Sequence, residues 1–256
     1  MNESKIKQTL LGVPKIILCL FGLITTFYMV IDFTYFLSVP KSLSIATRAK
    51  DPWLDSSWAL LNDMTLLTLF IIQHSLLASS GIKEVFNKYG LQVIYRSLYV
   101  ISTSGIILFL VRNWKSTPHA ILWQFNLNYR PILWLYTSIH VVAWIIIYVG
   151  NICTDVTELL GIKQVYYSIV NLPDPNYRKS HQLQRLTAHM RHPSFLAFVL
   201  IFWLCPVMSL DRLLLAIIMT SYMYLAWNTD ERDYYYHKTQ YERKFHELKQ
   251  LHRYSY

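Results

Sequence analysis

The stretch PILWLYTSIHVVAWIIIYVGNI, residues 131–152, decides the fold: its 22 residues include no Asp, Glu, Lys or Arg. Wound as a helix at about 1.5 Å per residue it extends ~33 Å, enough to cross the ~30 Å hydrocarbon layer of a bilayer. Working outward, five more segments read the same way. Before it lie 16–37, interrupted by Asp32, then 58–78 and 91–111; after it lie 193–210 and 213–227, separated only by Asp211 and Arg212. Short segments of alternating apolar and polar residues, the mark of a membrane barrel, are absent, which leaves helices. The expected fold is an all-α polytopic membrane bundle of about six transmembrane helices. It closes in a C-terminal helical hairpin and an amphipathic polar tail over 228–256.

Composition points the same way. Of 256 residues 54% are hydrophobic and only 15% charged, where a soluble domain carries about a quarter charged. A single water-soluble core could not hide so many uncharged runs. A soluble enzyme, a secreted disulfide scaffold and a disordered tail are thereby excluded. No internal repeat, low-complexity tract or Gly/Ser linker divides residues 1–256, so one polytopic membrane domain is expected. Cys19, Cys153 and Cys205 all fall inside apolar runs without a Cys-x-x-Cys pair, as small fillers in a reducing compartment do. Lys5, Lys7 and Lys15 precede the first segment as they would a signal peptide, but its apolar stretch is long and no small-x-small site follows. It reads as a retained anchor.

The net charge is +9, yet the basic residues are scattered among apolar spans with no zinc-finger spacing or RNA-binding aromatic signature. Membrane lipid, not nucleic acid, is the expected partner, with the cations facing anionic headgroups. Six spans place both termini on one side. That side carries 17 Lys and Arg against 7 on the other, so the positive-inside bias puts both termini in the cytoplasm or nucleoplasm.

Asp32, Asp63, His74 and His140 lie within or at the ends of spans, where an ionisable group is costly and normally faces a partner. They serve either a proton path or buried ligand site, or interhelical hydrogen bonds that fix packing. The segment from Arg178 to Pro193 places Leu183, Leu186 and Met190 on one face with Arg178, Arg185 and several His elsewhere. That is a basic amphipathic segment suited to the headgroup layer. His189 and His192 stand at i, i+3 with no acidic or thiol partner nearby, so no metal site is expected. Pro193 opens the next helix, and Arg191 and His192 beside that helix start suit a carboxylate or phosphate, or a snorkelling pair at the interface. After the last span come Asp230, Glu231, Arg232 and Asp233, then Tyr234, Tyr241, Phe245 and Leu248 at helical intervals. These acidic residues oppose Arg191 and His192 on one aqueous face, as an ion-pair cluster or as a shared polar pocket.

Five strings occur in a specific order: Gln73-His74-Ser75-Leu76, Arg96-Ser97-Leu98-Tyr99-Val100, Gly161-Ile162-Lys163-Gln164-Val165-Tyr166-Tyr167, Arg191-His192-Pro193 and Asp211-Arg212-Leu213-Leu214-Leu215-Ala216. The set resembles the nurim family of the inner nuclear membrane, over essentially the whole chain. That family is in turn similar, over the last two spans, to membrane methyltransferases of the isoprenylcysteine carboxyl methyltransferase type. In those enzymes an Arg-His-Pro motif and a following acidic pair hold S-adenosylmethionine. Carried onto this chain, the resemblance implies that Arg191, His192 and Pro193 with Asp230 and Glu231 bind that cofactor. Arg191 and His192 would meet its carboxylate, and Glu231 its amine or ribose. The lead-in to Arg-His-Pro departs from the family pattern at Gln184-Arg185-Leu186. Phe195 replaces a common aromatic hydroxyl, and no glycine follows Glu231. Methyl transfer from a sulfonium depends mainly on positioning, so these departures cost turnover more than binding.

Two functions follow from the resemblance. One is a structural or interaction protein of the nuclear envelope, meeting lamina or envelope proteins through its spans and basic loops. The other is an active or vestigial S-adenosylmethionine-dependent methyltransferase for a lipophilic or small thiol or carboxyl substrate. A transporter fits poorly, because intramembrane charges are few and no inverted repeat is visible.

Overall fold

The computed structural model describes residues 3–39, 51–153, 156–173 and 194–226. Four helices are long and apolar enough to cross a membrane: Gly12–Ser38, Pro52–Ala78, Gln92–Asn113 and Arg130–Ile152. They belong to α1 (Glu3–Ser38), α2 (Pro52–Ala78), α4 (Gln92–Asn113) and α5 (Arg130–Cys153). Their outer surfaces are the reverse of a soluble protein's, with Ile24, Phe27, Trp134 and Val142 all more than half exposed. Side chains of that kind are at rest only against lipid. The chain is a multi-pass membrane protein.

The helix ends follow from local chemistry. Asp51 caps α2, its carboxylate accepting from the amides of Trp53 (3.2 Å) and Leu54 (3.3 Å), and Pro52 takes the first helical position, where its missing N–H costs nothing. Ser79 ends α2 and caps the next helix, α3 (Ser80–Lys88). This short amphipathic helix touches the bundle through Phe86 against Tyr95.

Among the described elements the most extensive helix pairing is α1 with α4. Cys19 Sγ lies 3.1 Å from Ser97 Oγ, and two turns on Thr26 Oγ1 lies 3.1 Å from Ser104 Oγ. Between them Gly22 lies so near α4 that a Cβ would sit 3.3 Å from Ile101. Small residues let the backbones approach, and in lipid the hydroxyl contacts hold them together. The short helices α6 (Val156–Leu159) and α7 (Ile162–Ile169) close this end of the bundle, with Ile169 against Gly12 and Ser168 receiving a hydrogen bond from Lys15 Nζ at 3.4 Å.

The last two apolar runs form a hairpin of α8 (Phe195–Trp203) and α9 (Leu210–Ala226), with Trp203 Nε1 donating to Thr220 Oγ1 at 3.0 Å. Ala197, Ile201, Phe202, Leu215, Ala216 and Met223 from this hairpin join Phe36, Leu67, Trp114 and Trp144 in one buried core. The expected span 193–210 is helical only to Trp203. Pro206 lacks an amide and disfavours a helical residue before it, so the chain straightens into β2 (Val207–Ser209). That strand pairs antiparallel with β1 (Ile121–Gln124) from the α4–α5 connection, with Trp123 opposite Met208 and Gln124 opposite Val207. This ribbon is an addition to the all-α expectation. It ties the hairpin's turn to the end of the bundle where α4 finishes.

Candidate functional site

Polar side chains gather at both ends of the bundle, and four of the five strings quoted above supply them. At the end where α1 begins, Gly161 takes a left-handed conformation (φ 82°, ψ 2°) that starts α7. It lies hard against α4: a Cβ there would stand 2.6 Å from Ser97 Oγ and 2.8 Å from Ser97 N. Arg96 Nε donates to Leu159 O at 2.8 Å, and Cys19 Sγ reaches Gly161 O at 3.7 Å. The Arg96-Ser97 and Gly161 strings are thus two halves of one junction among α1, α4 and α7.

A turn along α4, the Tyr99 hydroxyl lies 3.1 Å from the ring nitrogens of His74, and Arg96 stacks over the Tyr99 ring at 5.3 Å. Phe70 and Tyr222 complete the surround of His74, with ring centroids 5.4 and 6.2 Å away. Ser75 Oγ meets the Tyr222 hydroxyl at 2.9 Å, Tyr95 donates to Leu77 O, and Gln73 Nε2 donates to Ser102 Oγ at 2.9 Å. The Gln73-His74-Ser75 string therefore joins α2, α4 and α9. A half-buried imidazole inside an aromatic box is the most chemically capable group here, able to accept, donate or carry charge.

At the opposite end stands a tighter node. Asp211, 1% exposed, opens α9 and accepts four hydrogen bonds: from Ser209 Oγ (2.6 Å), Thr117 Oγ1 (2.8 Å), Thr117 N (3.0 Å) and Trp114 Nε1 (3.0 Å). Burial pushes this carboxyl's pKa up; the hydrogen bonds from Ser209, Trp114 and Thr117 outweigh that and hold it below the ordinary carboxylate value. Beside it Arg212 Nη2 donates to Phe36 O at 2.6 Å, with the guanidinium 4.5 Å from the Phe36 ring centroid. Asp63, fully buried, accepts from Lys115 N at 3.0 Å, pinning the same connection to α2.

The four ionisable residues flagged in the spans are all tied to other parts of the chain. Asp32 pairs with Arg112 at 3.8 Å, Asp63 with the Lys115 amide, His74 with Tyr99, and His140 Nε2 with Leu204 O at 3.2 Å. The packing role is thus visible for each. The cofactor residues implied by resemblance, Arg191, His192, Pro193, Asp230 and Glu231, lie outside the described residues, as do His189 and the amphipathic segments around them. The structure describes what flanks them: Ser194, buried near Gly150, and α9 as far as Ala226. Among the described residues no group of three or more His, Cys, Asp or Glu could hold a metal ion.

Sequence reasoning missed the Asp211 node, reading Asp211 and Arg212 as a separator between spans and as part of a family string, not as a hydrogen-bonded cluster. The signal was present, since two adjacent charges between apolar runs cannot both be left to a two-residue loop. Tyr222 left no such signal.

The chain is similar to a nurim homologue of Drosophila pseudoobscura pseudoobscura, 39% identical over 232 residues that make up 88% of this chain and 92% of that protein. It is 37% identical to a nurim homologue of Drosophila melanogaster over 249 residues, 93% of this chain and 98% of that protein. Nurim of Mus musculus is 37% identical over 191 residues, 73% of this chain and 72% of its own length. No family model and no solved structure matches the chain.

Proposed function

The chain belongs to the nurim family, and on that premise we propose that it is a multi-pass protein of the inner nuclear membrane with a structural or interaction role at the envelope. Its termini and its longest basic loop face the nucleoplasm. The observation that carries this reading is similarity to nurim homologues along nearly the whole chain, spans and connections together. The 17-to-7 distribution of Lys and Arg supports the orientation. The interlocked hydrogen bonds at both ends of the bundle support a rigid scaffold that meets lamina or envelope proteins through its loops. Imaging of a tagged copy after detergent and salt extraction tests it. A rim of fluorescence that resists extraction is expected; reticular signal that washes away overturns it.

A second reading, a membrane methyltransferase, is favoured by one feature: the α8–α9 hairpin stands between the Arg191-His192-Pro193 and Asp230-Glu231 sequences. Those five residues would hold S-adenosylmethionine, which supplies an activated methyl group when bound. Calorimetric titration of the detergent-purified chain with S-adenosylmethionine tests it. Saturable heat abolished by Arg191→Ala and by Glu231→Ala supports the pocket, and no heat from the intact chain removes it.

A further inference from the structure

Arg212 is partly buried at the start of α9, and among the described residues most of its hydrogen-bonding capacity is unspent. A guanidinium carries five N–H donors; one interaction goes to Phe36 O and the face of the group rests on the Phe36 ring. Asp211, next in sequence, turns its oxygens to Ser209, Thr117 and Trp114. Among the described residues Arg212 has no ion pair with it or with any other carboxylate. The Asp211 carboxylate acts on it electrostatically from beyond ion-pair distance, but fills none of its N–H donors, and guanidinium donors left unfilled in an apolar surround are costly.

The guanidinium borders a cavity between the end of α1, the middle of α5 and the α8–α9 turn. Ser38, His140, Cys205, Leu37 and Phe202 line it with Arg212. Its free volume, about 20 Å³, has room for one or two occupants of water size. Ser38 Oγ accepts from Trp144 Nε1 at 2.8 Å, which leaves its own O–H to donate. His140 is 7% exposed. Its Nε2 faces the Leu204 carbonyl, which only accepts, so Nε2 carries the hydrogen and Nδ1 is an acceptor with no partner among the described residues.

We propose that this cavity is a binding site for one small monovalent anion of chloride size, held by the Arg212 guanidinium and the Ser38 hydroxyl. The anion accepts from both. A single water beside it donates one hydrogen to the anion and the other to His140 Nδ1, so every polar group around the cavity is satisfied. The apolar walls of Leu37 and Phe202 weaken competition from bulk water and strengthen the attraction of the anion to the cation.

The test uses the full chain purified in detergent. Its thermal midpoint is followed as chloride or bromide replaces gluconate at constant ionic strength, with the ³⁵Cl NMR linewidth as a direct readout of binding. A saturable rise of about 3 °C in halide is expected, with chloride line broadening that bromide competes away. Both signals should vanish in Arg212→Gln and persist in Lys83→Gln, which alters an exposed cation. If Arg212→Gln does not fold, the intact chain still decides, because midpoints equal in halide and gluconate with no competable broadening overturn the proposal. A halide effect of the same size in a folded Arg212→Gln overturns it as well.

Discussion

Gly161 permits the sharpest test of the junction among α1, α4 and α7. Alanine there meets two separate penalties. The left-handed backbone, φ 82°, costs an L-residue about 1–2 kcal/mol. The added methyl would also stand 2.8 Å from the Ser97 backbone nitrogen and 3.1 Å from Arg96 Cβ, atoms anchored in α4 that cannot swing aside, and such overpacking costs roughly 1–3 kcal/mol. Two further glycines separate the terms. Gly90 shares the left-handed conformation (φ 69°) with nothing within 4 Å of a Cβ, whereas Gly81 has neither constraint. At ~2–4 °C per kcal/mol for a chain of this size, Gly161→Ala lowers the thermal midpoint in detergent by about 10 °C and Gly90→Ala by about 4 °C. Gly81→Ala, inside a helix, leaves the midpoint unchanged or raises it slightly. A Gly161→Ala midpoint equal to that of Gly90→Ala would show that the close approach to Ser97 does not exist.

Asp211→Asn removes the charge from a node of four donors and turns an amide toward some of them, so a loss of about 1–3 kcal/mol is expected in chemical denaturation. Because the folded carboxyl's pKa is depressed, its stabilisation is complete above the ordinary carboxylate value and disappears as pH falls through the lower, folded value. The acid limb of the stability profile should therefore flatten in Asp211→Asn, and an unchanged limb counts against the node. Tyr99→Phe deletes the hydroxyl at His74 and should cost ~1 kcal/mol. It should also move the His74 imidazole resonance in NMR, and a stationary resonance would mean that the two side chains do not meet. Ser97→Ala spares Gly161 any crowding and should cost ~1 kcal/mol through the lost contact with Cys19, far less than Gly161→Ala by the same thermal assay.

The helical membrane architecture could be read from uncharged length alone, because a bilayer demands about 20 apolar residues whatever their neighbours. Residues 131–152 and the helix Arg130–Cys153 differ by one residue at each end. The ribbon of Ile121–Gln124 with Val207–Ser209 could not be read so. Its strands have four and three residues, too short for a period to emerge, and their paired residues lie 83 to 88 positions apart in the chain. Pro206 alone hinted at it, by making a helix to residue 210 costly. The strings that carried the family resemblance proved informative in a different way. Gln73-His74-Ser75 and Arg96-Ser97-Leu98-Tyr99 gave no sign of facing each other, since helix order says nothing of which faces meet. The structure brings His74 to Tyr99 and Ser97 to Gly161, so part of what carried the family resemblance is the geometry by which five helices, α1, α2, α4, α7 and α9, pack.

Glycosylation-acceptor mapping tests the central claim most directly. An acceptor placed at residues 41–50, between α1 and α2, should be glycosylated when the chain is made in the presence of endoplasmic-reticulum membranes, while acceptors ahead of α1 and within 240–256 should stay unmodified. A glycan on either terminus, or none at 41–50 with one at the basic loop around 178–190, would contradict the proposed orientation and the shared compartment of the two ends.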